Sequence, residues 1–189
     1  MAREMKLVSY LHSWKEDFQI IKKNLKAIFG NIAINIEHFG STAIEGMASK
    51  PIIDVMIIVY DIVKVDDLKW EMLKQGYIDR GDNGILGRRY FVKFAKDGLN
   101  HIEHIHCYEE NNPHVIDELM FRNYLRINKK AFDYYLNTKM EAAYRYPHDS
   151  IGYTAYKAKC ISEIMIEARK HYYQFNHYKD FIDITPNHN

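Results

Sequence analysis

Apolar residues in this chain follow two patterns, isoleucine-rich runs in the first half and helical spacing at both ends. Trp14, Phe18, Ile21, Leu25 and Ile28 recur at three- and four-residue intervals, which predicts an amphipathic helix over residues 9–29 ended by Gly30. Residues 32–39 and 51–60 carry isoleucine and valine almost continuously, as strands buried on both faces do. Between them, Ser41 or Thr42 is placed to cap a short helix to Ala48. Asp66 or Asp67 is placed to cap another, through Gln75, with Gly76 at its end. Strands are predicted at residues 77–79, 88–94 and 102–108, with turn chemistry at Gly81-Asp82-Asn83-Gly84 and an antiparallel hairpin about Lys96-Asp97-Gly98. Beyond Pro113 the period becomes helical. Helices are expected over residues 115–125, 131–144 and 153–173, with Pro147 separating the last two and Asp149 or Ser150 as N-cap. Residues 182–189 are polar and expected to fray.

Strands first and helices later argue for one α+β domain over residues 1–189, a mixed or antiparallel sheet with an N-terminal helix and a C-terminal helical bundle. Its 26 basic and 25 acidic residues leave a net charge of +1, which gives no broad surface for nucleic acid or an acidic membrane. Any anion site must be local. Cys107 and Cys160 lie far apart, and the Met1-Ala2-Arg3-Glu4 start leads into no secretory apolar region, so a reduced cytoplasmic setting is expected. No apolar run is long enough to span a bilayer, for which about 20 residues are needed. Many of the fifteen tyrosines fall in the C-terminal half at helical spacing. They are expected to bury their rings and leave their hydroxyls wet, rather than to form a stacking surface for bases.

Candidate chemistry gathers in a few places. Gly40 allows close backbone approach, and Ser41 at a helix start offers a hydroxyl and an N–H to a phosphate. Asp54 interrupts the second apolar run, where its burial requires a partner; Lys50 is a natural one and could equally contact a phosphate, the reading the spacing favours. His104 and His106, two apart on a strand, leave one face together and suit Zn, Mn, Fe or Ni better than Mg. Glu37 and His38 are further candidates, of which only one can face a given site. Arg122 and Arg126 share a helix face and could clamp an anion, and Lys157 could reach the sheet from the last helix. No dinucleotide glycine motif, Walker sequence, metal-type cysteine spacing or serine-hydrolase elbow is present.

The segment from His38 to Val55, HFGSTAIEGMASKPIIDV, resembles the signature of the GrpB-like family within the nucleotidyltransferase superfamily. His104-Ile105-His106, Phe121-Arg122-Asn123-Tyr124-Leu125-Arg126 and Tyr153-Thr154-Ala155-Tyr156-Lys157 agree with it in order, so the likeness spans about three quarters of the chain. One departure is Asn123, where the family usually has aspartate. The resemblance implies a nucleotidyltransferase-like fold with Gly40 and Ser41 beside a donor phosphate, Asp54 on the adjoining strand and the histidine pair near the superfamily's last carboxylate.

The reading that follows is a protein that binds a nucleotide or phosphorylated small molecule. Gly40, Ser41, Lys50, Arg122, Arg126 and Lys157 are the expected phosphate contacts, Asp54 and Lys50 the expected catalytic pair. Asp54, His104 and His106 are the expected ligands of a divalent metal, Mn, Zn or Mg. Transfer by two metals ordinarily uses two acids one apart on a strand, and here Met56 occupies the second position. Metal-dependent nucleotidyl transfer therefore stands beside two alternatives, a regulatory binding protein that has lost the chemistry and a metal-assisted phosphate-ester hydrolase.

Overall fold

The structure, a computed structural model, describes residues 5–182. Helix α1 (Ser13–Phe29) buries Trp14, Phe18, Ile21, Leu25 and Phe29, the stripe its spacing predicts, and Gly30 ends it at φ 50°. It begins later than residue 9 because Val8 is held extended by paired backbone hydrogen bonds with Ser49, each 2.9 Å. Strands β1 (Ala33–Phe39), β2 (Ile53–Val59), β3 (Tyr77–Asp79), β4 (Arg89–Phe94) and β5 (His101–Glu109) form one mixed sheet in the order β1-β2-β5-β4-β3. Only β2 and β5 run parallel, and the β4–β5 pair is the antiparallel hairpin expected.

Alternation along the strands sends two sets of side chains to two cores. Ile53, Val55, Ile57 and Val59 of β2, with Phe91, Ile105 and Cys107, pack under α1. Phe39, Met56, Ile58 and Tyr108 meet the helices α3 (Pro113–Ile127), α4 (Lys129–Arg145) and α5 (Ser150–His171). Central β2 is thus apolar on both faces, which is why its sequence reads as an unbroken run. Each fully buried Val, Ile, Leu or Phe contributes roughly 1.5–3 kcal/mol, so a polar Asp54 in this strand must be held by specific partners. Asn112, Asn128 and Asp149 cap α3, α4 and α5 by accepting from backbone N–H groups. Asn128 starts α4 two residues before the predicted residue 131.

Several local expectations are corrected. Ser41–Ala43 form only a three-residue 3₁₀ turn, not a helix to Ala48. Ile44 is extended and buried in the core, and Gly46, at φ 79°, turns the chain away. The segment before β3 is a 3₁₀ stretch (Ile62–Leu68) capped by Asp61, followed by α2 (Lys69–Lys74). Asp66 does not cap it, because both its oxygens accept from Arg89 at 2.8 Å. The hydroxyls of Tyr172 and Tyr178 are buried without hydrogen-bond partners, against the expectation that such hydroxyls stay wet. Ile182 closes a short helix α6 (Lys179–Ile182), and the rest of the predicted frayed tail lies outside the described residues.

Candidate functional site

Asp54 sits opposite Phe39 of β1 and His104 of β5, at the start of the central strand. Above it, Gly40 leaves β1 at φ 68° and ψ −170°, a conformation available almost only to glycine. A Cβ there would overlap Asp54 Oδ2 and come within 3.0 Å of the Asp54 Cβ. The glycine therefore lets the turn close over the carboxylate. Asp54 and the Gly40-Ser41 turn line a cavity of about 250 Å³, walled on the other side by α3, α4 and α5.

The hydrogen bonds around Asp54 fix the protons. A carboxylate only accepts, so His104 Nδ1 donates to Asp54 Oδ1 at 3.0 Å. In the neutral ring His104 Nε2 must then accept, and His101 Nδ1 lies 2.8 Å from it. His101 reaches this face because β5 skips a residue at Ile102 against β4, a bulge that re-aims the side chain. Burial opposes the charge on Asp54, but the hydrogen bond from His104, with the neighbouring imidazoles and the Lys50 ammonium, outweighs it and holds the carboxyl below its usual range. Lys50, a natural partner by sequence, acts on Asp54 through its charge, while the hydrogen bond belongs to His104.

His106 has a different role open to it. Burial, helped by Arg88 and His104 and opposed by Asp54, pushes its imidazole down to about 3, so the ring is neutral. Arg88 Nη1 approaches His106 Nδ1 at 3.3 Å. A guanidinium can only donate, so Nδ1 accepts and the proton of the neutral ring sits on Nε2. That Nε2 is buried and has no hydrogen-bond partner. One ligand atom each from Asp54, His104 and His106 lies within 4.8 Å of the other two, a separation one divalent ion could bridge. Asp54 and His104 fit such an ion, with loss of the shared proton. His106 joins them only if Arg88 gives up its contact, and otherwise presents an N–H to an anion.

Cations dominate the helical wall. Lys139 is 2% exposed, donates to the Ala48 carbonyl at 2.7 Å, and is pushed down to about 7 by burial and by Lys157 and Lys50, against the pull of Asp54. Lys157 is lowered to about 8 by burial and by Lys50. Its Nζ lies 4.3 Å from the Tyr153 ring centre, with Lys50 Nζ at 5.4 Å from the same ring. Tyr135 of α4 lines the cavity beside Ser41, and Glu118 of α3 enters from above, its carboxyl raised to about 7 by burial and by Asp54 and Asp117.

Of the residues singled out in the sequence, Gly40, Ser41, Lys50, Asp54, His104, His106 and Lys157 come together in this cavity. Arg122 and Arg126 do not line it. Arg122 is buried and bonds Glu37 Oε2 and the His38 carbonyl, both at 2.8 Å, and Arg126 bonds the Ala43 carbonyl at 2.7 and 3.1 Å. Both line a separate cavity of about 560 Å³ on the α1 side. His38 faces that side too, stacked on Phe18 at 4.8 Å with Nε2 3.0 Å from the Thr42 hydroxyl, and Glu37 is taken by Arg122. Lys139, Glu118, Arg88 and His101 escaped the sequence reading. Lys139 alone left a signal, a lysine four residues after Tyr135 on a helix otherwise expected to bury that face.

Comparison with known proteins agrees with this geometry at the level of family and fold. The "UPF0157 protein YqkA" of Bacillus subtilis is 41% identical over 150 residues, 79% of this chain, although the chain spans only 43% of that protein's length. The "Glutamate-rich protein GrpB" of Alkalihalophilus pseudofirmus is 33% identical over 166 residues, covering 87% of this chain and 95% of the relative. The crystal structure of conserved protein GrpB from Enterococcus faecalis superposes with a TM-score of 0.83 at 36% identity, over 89% of this chain and 99% of that one. A cytoplasmic RNA terminal U-transferase shares the fold alone, with a TM-score of 0.50 at 12% identity over 71% of this chain and 42% of the other. No helix among the described residues is long and apolar enough to cross a membrane. With the GrpB protein model matching residues 4–167, this chain belongs to the GrpB family.

Proposed function

We propose that this chain binds a nucleoside triphosphate or a similar phosphorylated small molecule in the cavity beneath Gly40-Ser41, and transfers its nucleotidyl group with the help of a divalent metal. One observation carries the reading. Lys50, Lys139 and Lys157 converge on a cavity whose floor holds Asp54 and His104, and the burial that lowers Lys139 and Lys157 is the penalty a bound polyanion would offset. The neutral His106 supplies a buried N–H to the same space.

In this reading Ser41 and the Gly40 turn seat the donor phosphate, while the three lysines draw charge from the departing pyrophosphate. Asp54 and His104 would hold the metal, which when bound neutralises phosphate oxygens. Imidazole in the donor set favours Mn or Zn over Mg. A net charge of +1 speaks for a small-molecule acceptor rather than a nucleic acid strand.

Met56 supports a second reading, a binding protein without transfer chemistry, because it is fully buried at the position where a second acid would stand. Calorimetry with pyrophosphate, ATP, GTP, CTP and UTP, each with Mg, Mn or Zn, separates the possibilities. Binding that is lost in a Lys139→Met/Lys157→Met double variant supports the site. No binding of any of them sinks both readings, and binding without pyrophosphate release leaves the second.

A further inference from the structure

Next to the lysine-lined cavity lies a second chamber of about 270 Å³, and the two share Gly40, Ser41, Glu118 and Tyr135 as a common wall. Its far side is apolar, built from Phe121, Ile161 and Met165. The mouth carries the pair Arg169–Asp117, bonded at 2.8 and 2.9 Å. Glu118 stands at the junction, and no hydrogen bond or ion pair to its carboxylate occurs among the described residues. Glu118 is half-buried, so its carboxylate keeps an open face toward both chambers and can accept a hydrogen bond from a ligand seated in either.

We propose that this chamber seats the acceptor, a small molecule with an apolar body and one hydroxyl, and that Glu118 accepts the hydrogen bond and then the proton of that hydroxyl. The inference rests on the transfer reading above. The acceptor oxygen, losing its proton to the Glu118 carboxylate, forms a bond to the α-phosphorus of the nucleotide. The bond from that phosphorus to the bridging oxygen breaks, and pyrophosphate leaves with the electron pair among the lysines. The volume admits a ring with a short side chain and excludes a polynucleotide strand. Burial first, then Asp54 and Asp117, raise the Glu118 carboxyl to about 7 against the opposing charge of Arg88, the range in which a general base is most effective.

The test uses protein labelled with ¹³C at the methionine methyls, titrated with benzyl alcohol and with toluene while the Met165 resonance is followed. Both probes should shift that resonance saturably, and Glu118→Leu should weaken benzyl alcohol about tenfold while leaving toluene unchanged. A silent Met165, or equal effects on both probes, overturns the acceptor chamber. With ATP, Mn and benzyl alcohol together, pyrophosphate release should fall at least about 100-fold in Glu118→Gln. Equal rates in parent and variant overturn the proton transfer. Pyrophosphate titration of the same samples keeps the two readings apart: if it does not bind while the benzyl alcohol result holds, the phosphate site fails and the chamber stands.

Discussion

Replacing Gly40 by alanine tests the junction on which the cavity depends. Two costs arise at this position. The backbone at φ 68° and ψ −170° lies in a region that costs a non-glycine residue about 1–3 kcal/mol. The added methyl would also overlap Asp54 Oδ2, and overpacking of this kind costs about 1–3 kcal/mol more. Gly30 is the matched control, since it too has positive φ, 50°, but nothing lies within 4 Å of a Cβ there. Urea unfolding should therefore show Gly40→Ala less stable than Gly30→Ala by about 1–3 kcal/mol, within the roughly 5–15 kcal/mol a domain has to lose. Relief of the overlap must push the Asp54 carboxylate off His104, so the downfield Nδ1–H proton resonance of His104 should be present in the parent and Gly30→Ala and missing in Gly40→Ala. Equal destabilisation of the two variants, with that resonance intact in both, would refute the argument that Gly40 exists to admit Asp54.

Three further outcomes follow from the geometry. Lys139 has a folded pKa of about 7 against an ordinary 10.5, so between those values the unfolded chain holds a proton the folded one has shed, and stability rises with pH across that window. Lys139→Met should flatten this rise in urea titrations from pH 7 to 10, and parallel curves would show that the lysine is not desolvated. Arg122→Ala should cost about 3–5 kcal/mol, because it takes away the charge partner of Glu37, which keeps only the Asn35 amide, and the guanidinium donor to the His38 carbonyl, with pyrophosphate affinity unchanged; a loss of affinity at full stability would return Arg122 to the anion site. Zinc or manganese calorimetry should lose its signal in His104→Ala, while His106→Ala keeps metal binding and weakens pyrophosphate; the reverse ranking would mean that Arg88 does not fix the His106 tautomer.

The periodicity of the chain was enough to place α1, the two isoleucine-rich strands, the β4–β5 hairpin and the three C-terminal helices, because those elements are specified by local alternation and by which face is buried. The cluster of Asp54, His104 and His106 was also legible, since two residues on one strand share a face whatever surrounds them. What the sequence could not decide was everything set by contact between distant segments. Gly46 and the burial of Ile44 reduce the expected helix after Ser41 to a turn, and a bulge at Ile102 brings His101 to His104 against strand alternation. Arg122 and Arg126 looked like an anion clamp because they share a helix face, yet the packing of α3 on β1 gives their donors to Glu37 and to backbone carbonyls first. Lys139 and Glu118 enter the cavity only because α3 and α4 fold over the sheet. Their shifted acidities are properties of that enclosure, since desolvation depends on what surrounds a side chain and not on its neighbours along the chain.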